Sequence, residues 1–219
     1  MDEALRRAWT QIVIAADLDD HMHQVGQAAA NAELLRTMLA ASAGDKLSEL
    51  LIVGGGTAQF LDYISADCLA PYRLTISDIN PLFLQRAKQR FDRAGLPAVQ
   101  LVVDDIEKTR LLGPYQFIVV ILVLEHIDWR KGLRNIHRLV PRQLHIVIQR
   151  NPEGLTEAIA PRRELNTSMK AFAASARPAL LSSVELIEFL QTLGYRLTWQ
   201  QARPVADGKT MLGLSFRPD

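Results

Sequence analysis

The chain has 219 residues, 48% of them hydrophobic and 22% charged, with a formal net charge of +1. Such a length and composition fit one globular domain with a full core and room for a small appendage, and the balanced charge gives no global electrostatic case for nucleic acid or an acidic membrane surface. The single cysteine, Cys68, excludes an internal disulfide and a multi-cysteine metal site; no apolar run reaches the roughly 18 residues of a membrane span, and no signal-peptide pattern opens the chain, so a cytoplasmic protein is expected.

Residues 1–45 carry no strand signal. In "AAANAELLRTMLAAS", Ala28, Leu34, Leu35, Met38 and Leu39 share a helical face, and two helices breaking near Asp17 to His21 are expected. After "AGDK", short β-branched and leucine runs alternate with amphipathic stretches. Strands are predicted at 50–53, 73–77, 98–103, 115–122 and 144–149, with helices at 57–65, 81–94 and 130–140 between them. Asn80 is a good cap for the second of these helices, with Pro81 in its first turn. No clear strand lies in 151–181; a helix at 183–191, ended by Gly194, precedes a closing strand pair, "YRLTWQQ" and "TMLGLSF".

Strand and helix alternating in this way imply parallel strands with helices on both faces. The expected fold class is α/β: a doubly wound, Rossmann-like sheet of seven strands, mostly parallel with an antiparallel C-terminal strand, plus N-terminal helices. The expected organisation is an N-terminal helical lid over 1–45 and an α/β domain over 46–219 with a helical or loop insertion at about 151–181. In such a sheet a ligand sits at the carboxyl ends of the strands, so four loops matter.

The first loop, "VGGGTA", carries Gly54, Gly55 and Gly56, which let the backbone approach a ligand, and a following helix would aim free N–H groups at it. The second, "TISDIN", places Asp78 at a strand end 22 residues beyond Gly56, the spacing of an acidic residue that takes two ribose hydroxyls. The third, "VVDDIEK", offers Asp104 and Asp105, which could accept from an exocyclic amine or simply cap the next turn. The fourth, "ILVLEHIDW", clusters Glu125, His126 and Asp128 after a buried strand. There the imidazole could serve as a general base near neutral pH, a structural histidine being the alternative. The three lie too close together, with no distant partner, to make a metal site.

Together, "LLIVGGGTA", "LTISDINPLFLQRAK", "VQLVVDDIEK", "FIVVILVLEHID" and "GLRNIHRLV" resemble the class I S-adenosylmethionine-dependent methyltransferases, in particular the small-molecule branch whose fourth motif often reads "VLEH". The tail "SSVELIEFLQTLGYRLTWQQ" resembles that family's closing helix and strand. The resemblance covers residues 48 to about 150 well and 182–216 loosely. It implies S-adenosylmethionine as cofactor, with Gly54 and Gly56 under its methionine part, Asp78 on the ribose and Ile79 against the adenine. It further implies Asp105 facing the adenine amine, Ile106 over the ring, and Ile121 and Leu122 below the sulfonium methyl. The chain departs from the family at three places: Ile52 stands where an acidic residue usually precedes the glycines, Ala58 where a last glycine is usual, and Ile118 where the fourth motif usually has an acid.

The resemblance implies a small-molecule methyl acceptor. Neither an Asn-Pro-Pro-Tyr nor an Asp-Pro-Pro-Tyr run occurs, nor a Pro-Cys pair, which disfavours nucleic-acid bases. In this family the acceptor pocket is usually built by the N-terminal helices and the insertion after the fifth strand. In "HMHQVGQAAANAELL", His21 and His23 accompany Gln24, Gln27 and Asn31, the last three on one helical face: a lid contacting ligand, or a solvated face. Residues 150–181 carry Arg150, Arg162, Arg163, Lys170 and Arg177, and helix 130–140 adds Arg130, Lys131, Arg134 and Arg138. Such a run is either a solvated face or a positive rim that recruits an anionic acceptor. Two other readings compete: a nicotinamide or flavin oxidoreductase, opposed by Gln59 at the position of the third fingerprint glycine, and a non-catalytic adenosyl-binding scaffold of the same fold. Leu5, Trp9, Ile12 and Val13 could cover a partner or their own core, so the oligomeric state stays open.

Overall fold

The computed structural model describes residues 1–41, 47–96, 98–152, 165–175 and 178–219. Its centre is a seven-stranded sheet in the order β3-β2-β1-β4-β5-β7-β6. The strands are β1 (Ser48–Val53), β2 (Tyr72–Asp78), β3 (Gln100–Val103), β4 (Phe117–Ile121), β5 (Gln143–Arg150), β6 (Tyr195–Pro204) and β7 (Thr210–Pro218). The first five pair in parallel, with Leu50 opposite Leu74 on one side and Phe117 on the other. β7 runs antiparallel to both β5 and β6, as the mostly parallel expectation requires.

The apolar runs without alternation are explained by burial on both faces. On one face Leu51, Val53, Ile118, Val120 and Ile146 meet Leu133 and Ile136 of α5 (Trp129–His137) and Leu186 and Leu190 of α7 (Ser183–Thr192). On the other, Leu50, Ile52, Ile76 and Val119 meet Leu35 and Leu39 of α3 (Gln27–Ala40) and Leu84, Ala87 and Phe91 of α4 (Pro81–Arg93). Ile52 and Ile118, the two positions where the family that the sequence resembles usually has acids, are therefore fully buried core residues. α4 starts as expected: the Asn80 carboxamide oxygen accepts from the Leu82 amide at 2.9 Å, with Pro81 in the first turn.

Two expectations are corrected. The segment 57–65 is not an α-helix; only Gln59–Asp62 forms a short 3-10 turn. Ala58 sits in the left-handed region at φ 57°, which no continuing helix accommodates, and the Thr57 carbonyl is taken by the Arg90 guanidinium at 2.9 Å. No helix dipole therefore points over the glycines. The N-terminal segment breaks twice, and elsewhere than expected. α1 (Glu3–Arg7) and a π turn (Ala8–Ile12) end at extended Val13, α2 (Ala15–Gln24) runs straight through Asp17 to His21, and Gly26 at φ 77° separates α2 from α3. Of the insertion, residues 153–164 lie outside the described residues; Thr167–Ser175 form α6, which packs on the N-terminal turn through Met169 and Phe172 against Leu5, Ala8 and Val13. Leu5 and Val13 thus cover the chain's own core.

Candidate active site

A cavity opens at the carboxyl ends of β1, β2, β3 and β4, beneath α2, α3 and α6, where a switch point places a ligand. Gly54, Gly55 and Gly56 form its floor. A Cβ on Gly54 would come within 2.0 Å of Val123, and one on Gly55 within 2.3 Å of Ile76, whereas one on Gly56 would meet nothing within 4 Å. Open space above Gly56, at φ 54°, is where a bound group can touch backbone.

Asp78 stands beside it. One carboxylate oxygen accepts from the Gly56 amide and the other from the Asn80 amide, each at 2.9 Å. Burial pushes its pKa up to about 6 while these amides pull it down. Ile79 and Ile106 line the cavity, Ile106 almost fully buried. Asp105, expected to face an amine, does line it, but one oxygen caps the next turn through the Glu107 amide at 3.0 Å and the other pairs with Arg6 of α1. Its neighbour Asp104 lines the cavity too and holds a buried, unpartnered carboxylate oxygen. Ile121 and Leu122 line the floor, Leu122 in a left-handed conformation at φ 53°.

The fourth loop contributes two adjacent, dissimilar groups. Glu125 is 4% exposed; one oxygen accepts from the Gln149 amide at 2.8 Å and the other is buried without a partner. Burial raises its pKa to about 7. Burial lowers that of His126 to about 4, so the ring is neutral. The Trp9 indole donates to His126 Nδ1 at 3.2 Å. An indole N–H can only donate, so Nδ1 is the unprotonated nitrogen and Nε2 carries the proton. The sequence expectation of a basic imidazole is corrected to a hydrogen-bond donor. Asp128 caps α5 through the Lys131 amide at 3.1 Å and does not line the cavity.

The lid residues divide. Because Gly26 interrupts the helix, Gln24 does not share a face with Gln27 and Asn31: Gln24 is exposed, while Gln27 and Asn31 are 4% and 5% exposed and line the cavity. His23 turns outward to the Tyr63 hydroxyl, 2.6 Å away, and His21 takes the inward place. Arg150 is exposed and its strand neighbour Gln149 faces in, the alternation of a β-strand. None of the described cations of the expected rim lines the cavity. Arg130 lies over Trp129 and pairs with Glu185 at 3.2 Å, Arg134 lies over Phe189, and neither lines the cavity. Arg162, Arg163 and Arg177 lie outside the described residues.

Sequence reasoning missed five contributors. Trp9, Met169 and Phe172 give the cavity an apolar, aromatic wall, with Trp9 4.9 Å from the His126 ring and 4.7 Å from Phe172. Gln149 bridges Gln27, whose amide nitrogen donates to it at 3.0 Å. Lys209 lines the cavity from the β6–β7 hairpin.

A sequence model of a methyltransferase domain family matches residues 51–142. No curated protein sequence matches the chain. Among solved structures, the fold is similar to magnesium protoporphyrin IX methyltransferase of Synechocystis with bound S-adenosylmethionine, at a TM-score of 0.67 and 13% identity over 99% of this chain and 90% of that one. An N-methyltransferase of Bradyrhizobium japonicum in complex with S-adenosylhomocysteine gives 0.61 and 19%, covering 85% and 84%. The 1,6-didemethyltoxoflavin-N1-methyltransferase of Burkholderia thailandensis gives 0.59 and 18%, covering 93% and 88%. At these identities the likeness is one of fold.

Proposed function

From a class I methyltransferase fold whose residues 51–142 match the methyltransferase domain, we propose that this chain transfers a methyl group from S-adenosylmethionine to a small, largely apolar molecule. One observation carries the reading. Asp104, Asn31 and Glu125 each have a buried, unpartnered oxygen, and all three line a single cavity that also holds Asp78 and the open face of Gly56. Buried polar atoms are rarely left unpaired, so a polar ligand that completes them fits the site.

Asp78 would accept from the ribose hydroxyls, Ile79 and Ile106 would sandwich the adenine, and Asp104, rather than the tethered Asp105, would accept from its amine. When bound, the cofactor supplies an electrophilic methyl on a sulfonium. What remains for the protein is alignment of the acceptor with that methyl along one line, and proton removal. Trp9, Met169 and Phe172 would hold a flat apolar acceptor, with residues 1–45 as its lid. The His126 Nε2–H would orient the acceptor oxygen or nitrogen. Glu125, with a pKa near 7, is matched to take its proton. An apolar acceptor is favoured over the anionic one because the described arginines of the expected rim lie outside the cavity.

Calorimetric titration with S-adenosylhomocysteine, NADH and FAD tests the reading. Micromolar binding of the first alone is the expected result. Binding of FAD or NADH instead would replace it with the oxidoreductase reading, and binding of none with a scaffold.

A further inference from the structure

One wall of the cavity carries polar groups that neither the ribose and adenine contacts nor the proton-transfer pair use. Lys209, the residue before β7, is 2% exposed and lines the cavity. Its Nζ lies 2.9 Å from a carboxylate oxygen of Asp207, which is also buried. The hairpin that presents it is fixed: the Ala206 amide donates to the Val25 carbonyl at 3.2 Å, at the junction of α2 and α3, and the Val205 amide donates to the Lys209 carbonyl at 2.9 Å. On α3, one turn apart, stand Gln27 and Asn31, the latter with its carboxamide oxygen buried and unpartnered.

Among the described residues that line the cavity, Lys209 is the only lysine or arginine, against Asp78, Asp104, Asp105 and Glu125. A buried ammonium is retained only when paired, and Asp207 balances it in the free chain. A lone anion entering beside Lys209 would also meet Asp207 and be repelled. A zwitterion would not: it is neutral overall, as the Lys209–Asp207 pair is, and its charges can alternate with theirs. Asn31 offers the acceptor that the positive end of such a ligand needs. Ile52, buried among Leu35, Leu39 and Val119, supplies none at the place where the family usually has an acid.

We propose that Lys209 and Asn31 bind the zwitterionic α-amino-acid end of the cofactor, Lys209 taking the carboxylate and the Asn31 oxygen accepting from the ammonium. The assignment rests on the S-adenosylmethionine reading above. It explains how a chain with isoleucine at position 52 holds that end: the contact has moved from β1 to α3 and the closing hairpin.

The test compares two ligands, S-adenosylhomocysteine and 5′-methylthioadenosine, which shares the adenosine and thioether but lacks the amino-acid end. The proteins are the natural chain, Lys209→Met, Asn31→Leu, and the double variant Lys209→Met/Asp207→Leu, which strands no carboxylate. In the natural chain S-adenosylhomocysteine should bind more tightly by about tenfold or more, the value of a charge-assisted contact. In each variant its affinity should fall by about tenfold while that of methylthioadenosine stays within about twofold, so the preference collapses. Unchanged preference in the double variant, or equal losses for both ligands, would overturn the assignment. If the natural chain binds neither ligand, the cofactor reading itself fails, a result separable from the loss of preference alone.

Discussion

Trp9 Nε1 donates to His126 Nδ1 at 3.2 Å, joining the N-terminal turn to the loop after β4. The bond fixes which ring nitrogen carries the proton, and the edge of the indole packs on the same ring at 4.9 Å. A side chain 117 positions away thereby decides whether the histidine of "VLEH" gives or takes a hydrogen bond.

Trp9→Phe keeps an aromatic ring against Phe83 and Phe172 but removes the donor. His126 would then sample both neutral tautomers. Turnover should drop by about tenfold, within the range of one lost proton-handling contact, with cofactor affinity little changed. Nitrogen chemical shifts of the His126 ring would report the tautomer directly. Unaltered shifts in the variant would show that Trp9 does not set it.

Glu125 ionises late because it is buried, so activity on an acceptor that must lose a proton should rise with pH through about 7. Glu125→Gln should flatten that rise and lower turnover by about 100-fold, as expected for a lost general base. Stability runs the other way. The folded pKa lies above the ordinary value of 4.5, so the fold binds more protons than the unfolded chain between the two. This carboxyl's contribution is therefore fully present below about pH 4.5 and is lost as pH rises through about 7, on the order of 3 kcal/mol. The glutamine variant should melt higher than the natural chain at pH 8, by differential scanning calorimetry.

Asp78 should make adenosyl-ligand affinity pH-dependent. Its pKa of about 6 in the free chain means that its acceptor oxygens are fully charged only above that pH. Affinity for S-adenosylhomocysteine should weaken as pH falls from 7 to 5. Asp78→Asn should weaken it by more than tenfold, since hydrogen bonds to a charged acceptor are worth roughly 1.5–3 kcal/mol, and should abolish the pH dependence. Affinity in the asparagine variant that still tracks pH through 6 would assign the titration to another group.

The glycine loop separates space from strain. Gly54→Ala would drive a methyl into Val123 and should unfold or severely destabilise the chain. Gly56→Ala meets no atom, so it should cost only about 1 kcal/mol of backbone strain, while placing its methyl where the ligand would lie and cutting affinity. Ala58→Gly should stabilise the fold by about 0.5–1 kcal/mol, because the native φ of 57° is one that alanine resists. Thermal denaturation and ligand titration of the three variants would separate the two effects.

The alternation of apolar runs with amphipathic stretches was enough to read seven strands and a mostly parallel sheet, and the resemblance of the tail to the methyltransferase family implied the antiparallel C-terminal strand. Burial on both faces leaves a mark that needs no knowledge of partners, as "LLIV" and "FIVVI" show. Gly54 to Gly56, Asp78, Ile79, Asp105, Ile106, Ile121 and Leu122 all reach one cavity because strand ends in a parallel sheet converge on one edge.

What went astray in the sequence depends on single backbone turns. A left-handed Ala58 cancels a helix that composition favours, and a left-handed Gly26 sends Gln24 outward while Gln27 goes in. One step of strand pleat puts Gln149 rather than Arg150 in the cavity, and about 200° of helical rotation separates His21, which lines it, from His23, which does not.

The sequence by itself determined the sheet and the strand-end loops whose residues line the cavity, because periodicity and strand-end position are local properties. Only the tertiary structure decided the burial of the ionisable groups and the aromatic wall of the cavity. Desolvation of Asp78, Glu125 and His126, the indole on His126 Nδ1, and the lysine that a hairpin delivers beside α3 arise from groups brought together across the whole chain. Energies of burial and pairing exist only once the neighbours are in place.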